Sequence, residues 1–276
     1  MNLYKLFKYD IRIGLLRWRY AMVPLVFLVP CIQGYCTLRL ESVLGTWVDY
    51  MMYCYKGCMP INGLEMIRDF DFPSAWILIM SGCLFVNLDY LPCDLTHMGQ
   101  QVIIRCVKRK DWFLSKCIWN GLSCLQYYCL GGLTVLAFTI ITGGRISLIN
   151  DPVVSIILLG KGILPYVHLT ICQALVTVII LPVLTMVTLS MLEMSFSLVL
   201  KPIVSFIFSI SMLSVSLFWD SPLILGVGAM TIRNSIITAN GGSSVTMIRL
   251  SLAVILVCVV FGIACGSKKD ILNVEE

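Results

Sequence analysis

The residues whose types and spacing could do chemistry in this chain are gathered in one polar stretch, Leu88 to Lys116, and they suit docking rather than catalysis. Its cations Arg105, Lys108, Arg109, Lys110 and Lys116 interleave with Val102, Ile103, Ile104, Trp112, Phe113 and Leu114. That pattern predicts a short amphipathic element that rests apolar residues on a membrane or partner and turns charge toward headgroups or acidic protein. Elsewhere the usual reactive constellations are missing. There is no G-x-x-x-x-G-K-S/T loop, so the chain does not cradle ATP phosphates in that way. There is no G-x-S-x-G elbow and no H-E-x-x-H helix. The only two histidines, His97 and His168, lie on different segments without a carboxylate or cysteine cluster beside them, whereas a metal needs three or four convergent ligands.

Thirteen cysteines, an odd number scattered mainly through apolar runs, read as reduced, buried, small hydrophobes rather than as a secreted disulfide framework. Cys54 and Cys58, one helical turn apart, form the one pair for which a bridge is geometrically conceivable. Polar side chains inside the apolar runs are few. Gln126 and Gln173 either hydrogen-bond across helices or line a substrate path. Ser205 and Ser209, with Ser216 further along, put small polar residues at helical spacing; they serve either packing within the chain or association of two copies. Asp89 and Glu193 fall near span ends, within reach of water, and neither reads as a proton relay.

The elements that must position these groups follow from hydropathy. Of 276 residues, 59% are hydrophobic and only 13% charged, with mean hydropathy +0.92, against about a quarter charged in an ordinary soluble chain. The charges sit in short patches between long apolar runs, which predicts an all-α integral membrane protein with six transmembrane helices in a single transmembrane domain over 1–276. Residues 1–19 predict an interfacial amphipathic helix, with Leu3, Leu6, Phe7, Ile11 and Leu15 on one face and Lys5, Lys8, Arg12 and Arg19 on the other. Spans are expected at about 20–38, 72–90, 118–142, 164–191, 202–219 and 248–265, with a kink at Pro182. The first span follows five cations and lacks a small-residue cleavage site, so it is expected to stay as an anchor.

Alternating the loops gives one side five cations before the first span, five between the second and third, Lys201, Lys268 and Lys269. That is thirteen of the twenty Lys and Arg; the other seven, Arg39, Lys56, Arg68, Arg145, Lys161, Arg233 and Arg249, are spread over three outer loops without a dense cluster. Both termini are therefore expected in the cytoplasm. Of the outer connections, Arg39 to Asp71 is aromatic and methionine-rich, suiting a helix on the outer interface, and Leu223 to Met230 is too short to cross and reads as a re-entrant or surface segment. The modest net charge of +5, without one long basic cluster or an aromatic-basic motif, gives no reason to expect nucleic acid as a partner.

Tyr90, Asp94, Gly99, Arg105, Arg109, Trp112 and Lys116, running straight into a span, resemble the loop between the second and third helices of ABC-2-type transporter permeases of bacteria. The resemblance extends loosely over the chain: interfacial N-terminal helix, six spans, no fused nucleotide-binding domain. It implies that 90–116 is a cytoplasmic coupling loop docking on separate ABC ATPase subunits, which would bind ATP and Mg while this chain binds no cofactor. It further implies a second permease chain, same or related, and a bacterial plasma membrane location. The expected activity is then export of a peptide-like or amphipathic substrate. Two other classes stand beside it: a non-transporting membrane sensor or immunity module, favoured by the scarcity of mid-membrane charge, and a membrane-embedded enzyme, for which no catalytic constellation is present.

Overall fold

In a computed structural model of the chain the described apolar runs become helices. The structure describes residues 3–14, 17–59, 71–88, 90–91, 109–160, 168–219, 221, 224–239 and 241–268. Nine helices organise them: α1 Leu3–Gly14, α2 Val23–Leu40 preceded by a 3-10 turn Trp18–Met22, α3 Trp47–Cys54, α4 Ser74–Asn87, α5 Arg109–Ile141, α6 Pro152–Leu159, α7 Ile171–Ser197, α8 Pro202–Phe218 and α9 Ser244–Lys268. Two further 3-10 turns, Leu225–Ala229 and Thr231–Arg233, lie between α8 and α9. Among the described residues extended pairing is limited to isolated bridges, Thr46 with Arg145 and Asn234 with Gly242.

Four helices are long and apolar enough to cross a bilayer: Trp18–Leu40, Lys110–Ile141, Ile171–Ser197 and Ser244–Gly266. They fall on the expected first, third, fourth and sixth spans. The second and fifth become shorter apolar helices; α4 has 14 residues and α8 has 17, about 21 and 26 Å of rise against the ~30 Å hydrocarbon core. Bilayer as solvent is most evident in α9. It has the highest hydropathy of the four, 2.6, yet only 17% of its apolar window is buried, and Leu252, Leu256, Val257 and Val260 point outward. A helix apolar all round and mostly uncovered by protein belongs in lipid.

α7 is the axis of the bundle, with 61% of its window buried and α4, α5, α8 and α9 packed around it. Its expected start at 164 moves to Ile171, because Thr170 and Gln173 form a capping box that sets the first turn there. Its expected kink has an atomic cause. Pro182 has no N–H to give the carbonyl four residues back, that of Val178. The helix widens to a π turn over Leu175–Ile180, and the Tyr128 hydroxyl of α5 donates to the Val178 carbonyl at 2.8 Å. The freed acceptor is thus satisfied from a neighbouring helix, as an apolar environment requires.

α3 does not lie on the outer interface as its aromatic content suggested. Val48, Tyr50, Met51, Met52 and Cys54 are all buried against α2, α5 and α6. The organiser is Asp49, whose Oδ2 accepts from the Thr46 amide and hydroxyl at 3.0 and 2.7 Å and from the Asp151 amide at 3.3 Å, while Oδ1 accepts from Ser155 at 3.1 Å. One carboxylate therefore closes the capping box of α3 and ties it to the start of α6. Burial pushes the Asp49 carboxyl above its ordinary range despite the lowering by those donors.

Candidate functional site

α1 meets the bundle through a stripe of Leu6, Asp10 and Gly14, one turn apart and all buried, while Lys8 and Arg12 face outward. The approach is close: a Cβ on Gly14 would run into the Trp119 indole of α5. Asp10 is the polar centre of this contact. Lys116 Nζ lies 2.5 Å from its Oδ1, the Tyr90 hydroxyl donates to the same oxygen at 2.7 Å, and the Ser115 hydroxyl donates to Oδ2. Both members of the ion pair are 2% exposed. Such a pair repays its desolvation only when geometry is good and the remaining lone pairs are filled, which three donors on one carboxylate accomplish. Tyr90 also stacks on Trp119 with centroids 3.5 Å apart, and the Lys116 ammonium sits 4.6 Å from the Tyr90 ring centre.

From there a polar seam runs into the bundle. Lys116, Asn120 and Ser123 are spaced four and three residues apart on α5, so they share one face. Ser123 pairs with the Tyr20 hydroxyl at 2.7 Å and donates to Asn87 Oδ1. Asn87 donates to Ser190 Oγ at 3.0 Å and Asn120 to the Ser190 carbonyl at 3.1 Å. Glu193, one turn further along α7, lines a cavity of about 10 Å³ together with Asn87, Asn120, Ser190 and Ser197, room for a single water. The expectation that water reaches Glu193 freely is corrected: it is 2% exposed, because α7 is covered on every side at that level. The seam joins α2, α4, α5 and α7 through groups that hydrogen-bond one another, which fixes their relative rotation.

A second polar centre lies at the opposite end of α8. Arg233, expected in an outer loop among dispersed cations, is 2% exposed. Its guanidinium donates to the carbonyls of Ser216, Leu217 and Trp219 at 2.7, 2.7 and 2.8 Å and to that of Cys58 at 2.7 Å. The first three end α8, where uncapped carbonyls and the negative end of the helix dipole favour a cation. In the described part of Leu223 to Met230, Gly226, Val227, Gly228 and Ala229 are buried against α7 and α8. There a Cβ on Gly226 would meet the Ser216 hydroxyl and one on Gly228 would crowd the Thr185 hydroxyl.

The expected site residues divide. Asp94, Gly99 and Arg105, with Asp89 and His97, lie outside the described residues. Arg109 opens α5, which starts nine residues ahead of the expected span. Trp112 is buried with Leu91, Phe113, Met191, Leu198 and Cys258, and Lys116 turns inward to Asp10. Neither of these two faces headgroups, because helix periodicity places both on sides of α5 covered by protein. Gln126 is half-buried on α5. Gln173 is exposed and its amide oxygen accepts from the Thr170 amide and hydroxyl, both at 3.0 Å, so it caps the start of α7. Ser205 and Ser209 have no exposed surface and face α7, with Ser205 donating to the Glu193 carbonyl at 2.5 Å. They belong to packing within one chain and are out of reach of a second copy. Cys54 and Cys58 are free thiols; Cys54 lies against Cys31 and Cys58 beside Arg233, so they turn to different neighbours. His168 is exposed, and among the described residues no three His, Cys, Asp or Glu converge as metal ligands.

Sequence reading missed Asp10, Asn87, Asn120, Ser123, Ser190 and Arg233. Of these, the Lys116–Asn120–Ser123 stripe was visible as spacing on a long apolar helix. Fold and site together define an all-helical protein with four membrane-length helices and polar centres toward its two ends. No family model, curated protein or solved structure matches the chain.

Proposed function

We propose that this chain is the permease subunit of an ABC-2-type transporter, crossing a bacterial plasma membrane six times with both termini in the cytoplasm. The observation that carries the reading is the anchoring of the segment 92–108. Its upstream stem, Tyr90 and Leu91, and its downstream stem, Trp112 and Lys116, are both buried in one polar and apolar joint, and the downstream stem continues without a break into the 33 residues of α5. A force applied at those stems would be delivered to a membrane-length helix. ATPase subunits holding ATP and Mg would dock there, through Asp94, Gly99, Arg105 and Arg109, and bias a two-state helical bundle. α4 and α8 complete the six crossings, the bilayer thinning locally or flanking residues snorkelling to meet their shorter lengths. The cargo is a peptide-like or amphipathic molecule moving between this chain and a second permease chain.

The experiment is co-purification with candidate ATPase chains from the same cell, followed by ATP-driven substrate movement in vesicles. Reversing Arg105 and Arg109 to Glu is expected to abolish both ATPase recruitment and transport. Intact assembly and turnover in that variant would end the coupling reading.

One observation favours a second reading, a non-transporting sensor or immunity module. Two of the cavities lined by described residues hold about 10 and 50 Å³, below the ~300 Å³ at which drug-sized ligand pockets begin. Ligand binding by vesicles of the chain alone, with no ATP-driven movement under any partner, would favour that module.

A further inference from the structure

We infer that Asp10 is a positioning residue, a pin that fastens α1 to both stems of the 92–108 segment so that the three move as one body. What the pin transmits rests on the reading of 92–108 as a docking loop; the mechanical joint itself does not.

Three elements far apart in sequence converge on one carboxylate. Oδ1 takes the Tyr90 hydroxyl from the upstream stem and the Lys116 ammonium from the downstream stem, and Lys116 Nζ is itself 3.4 Å from the Tyr90 oxygen. Oδ2 takes Ser115, so the downstream stem is held by two consecutive side chains. Around this centre Tyr90 is clamped between the Trp119 indole and two cations, Lys116 and Arg17, the latter 5.3 Å from its ring centre. Among the α1 residues whose side chains are described, Leu6, Asp10 and Gly14 are buried and Phe7, Tyr9 and Ile11 are half-buried against the bundle; a twelve-residue helix depends on such tertiary contacts, and Asp10 is the charged one among them. The polar members do the fastening, and each is nearly excluded from water, where charged hydrogen bonds are strong and the loss of one partner strands the other.

The pin makes a graded, residue-specific prediction. In Asp10→Asn the carboxylate charge that faces Lys116 is removed, and α1 should detach. In Tyr90→Phe the carboxylate keeps Lys116 and Ser115, so α1 should stay docked while the upstream stem loosens. In Asp10→Glu the charge is retained on a longer arm and docking should be largely rescued.

The test is amide hydrogen exchange on the full chain in lipid nanodiscs, without any partner. Asp10→Asn should speed exchange across Leu3–Gly14 by at least about tenfold, with the interior of α7 unchanged. Unchanged exchange in α1 would overturn the pin. Exchange rising equally in α1 and α7 would also overturn it, because Asp10 would then be supporting the whole fold. A second arm adds the ATPase chains with and without nucleotide: exchange in α1 should respond in wild type and not in Asp10→Asn. Absence of a response in wild type, with the first arm as expected, would refute the docking-loop reading while upholding the pin.

Discussion

Replacing Arg233 with Met keeps most of the side chain's volume and removes five donors at once. The four carbonyls that accept from the guanidinium are not equivalent. Trp219 ends its helix with a largely exposed side chain, and its bond is only part-buried, so water can take over there. Those of Cys58 and Ser216 are buried and lose this donor, while that of Leu217 keeps the weak Cys58 thiol donor at 3.7 Å. A stranded buried polar group costs about 1–3 kcal/mol, so two of them set a range of about 2–6 kcal/mol; the weakened third acceptor and local relaxation put the expected loss at about 3–5 kcal/mol. Arg233→Lys should recover only part of it, since one ammonium cannot match a planar fork reaching four acceptors in two segments. The measurement is reversible unfolding in mixed micelles followed by tryptophan fluorescence and circular dichroism. A loss under about 1 kcal/mol for the Met variant, or full recovery by Lys, would refute the view that this guanidinium clamps the end of α8 to the backbone at Cys58.

Tyr128→Phe strands the Val178 carbonyl that Pro182 leaves unserved, and should cost about 1–3 kcal/mol. In a double-mutant cycle Pro182→Ala, which restores an N–H donor, should shrink that cost; equal costs in both backgrounds would refute the pairing. Asp49 sets a pH dependence of definite sign. Its native pKa lies above the ordinary carboxylate value, so its contribution to stability is full below that ordinary range and is lost as pH climbs through the native value. The protection of α3 amides, with the intrinsic pH dependence of exchange divided out, should therefore rise as pH falls through the native value, and Asp49→Asn should flatten that profile. Gln173→Ala should cost about 0.5–2 kcal/mol in thermal unfolding as a lost cap and leave substrate movement unaltered; selective loss of movement would return Gln173 to a substrate path.

Much of the scaffold was legible because hydropathy is a local quantity. Four apolar runs became membrane-length helices near their expected places, and Pro182 announced a distortion whose relief by Tyr128 could not be read from sequence. The errors share a cause. Gln173 looked like an intramembrane amide because it sits in an apolar run, although Thr170 three residues earlier spells a capping box, a local signal that was available. Lys116 and Arg233 looked like surface cations because burying a charge is costly unless its partner is known. Those partners lie 106 residues away for Lys116 and as far as 175 for Arg233. Ser205 and Ser209 were recognised as small packing positions; which helix they pack against was a tertiary fact.

The ion pair between Asp10 and Lys116 also imposes an order on biosynthesis. Asp10 leaves the ribosome long before its counter-ion, and a carboxylate in that interval has water as its only adequate partner. Docking of α1 through this pair therefore follows synthesis of the start of α5. A nascent chain stalled before residue 116 should carry a protease-sensitive amino-terminal helix, and one stalled well beyond it a protected one.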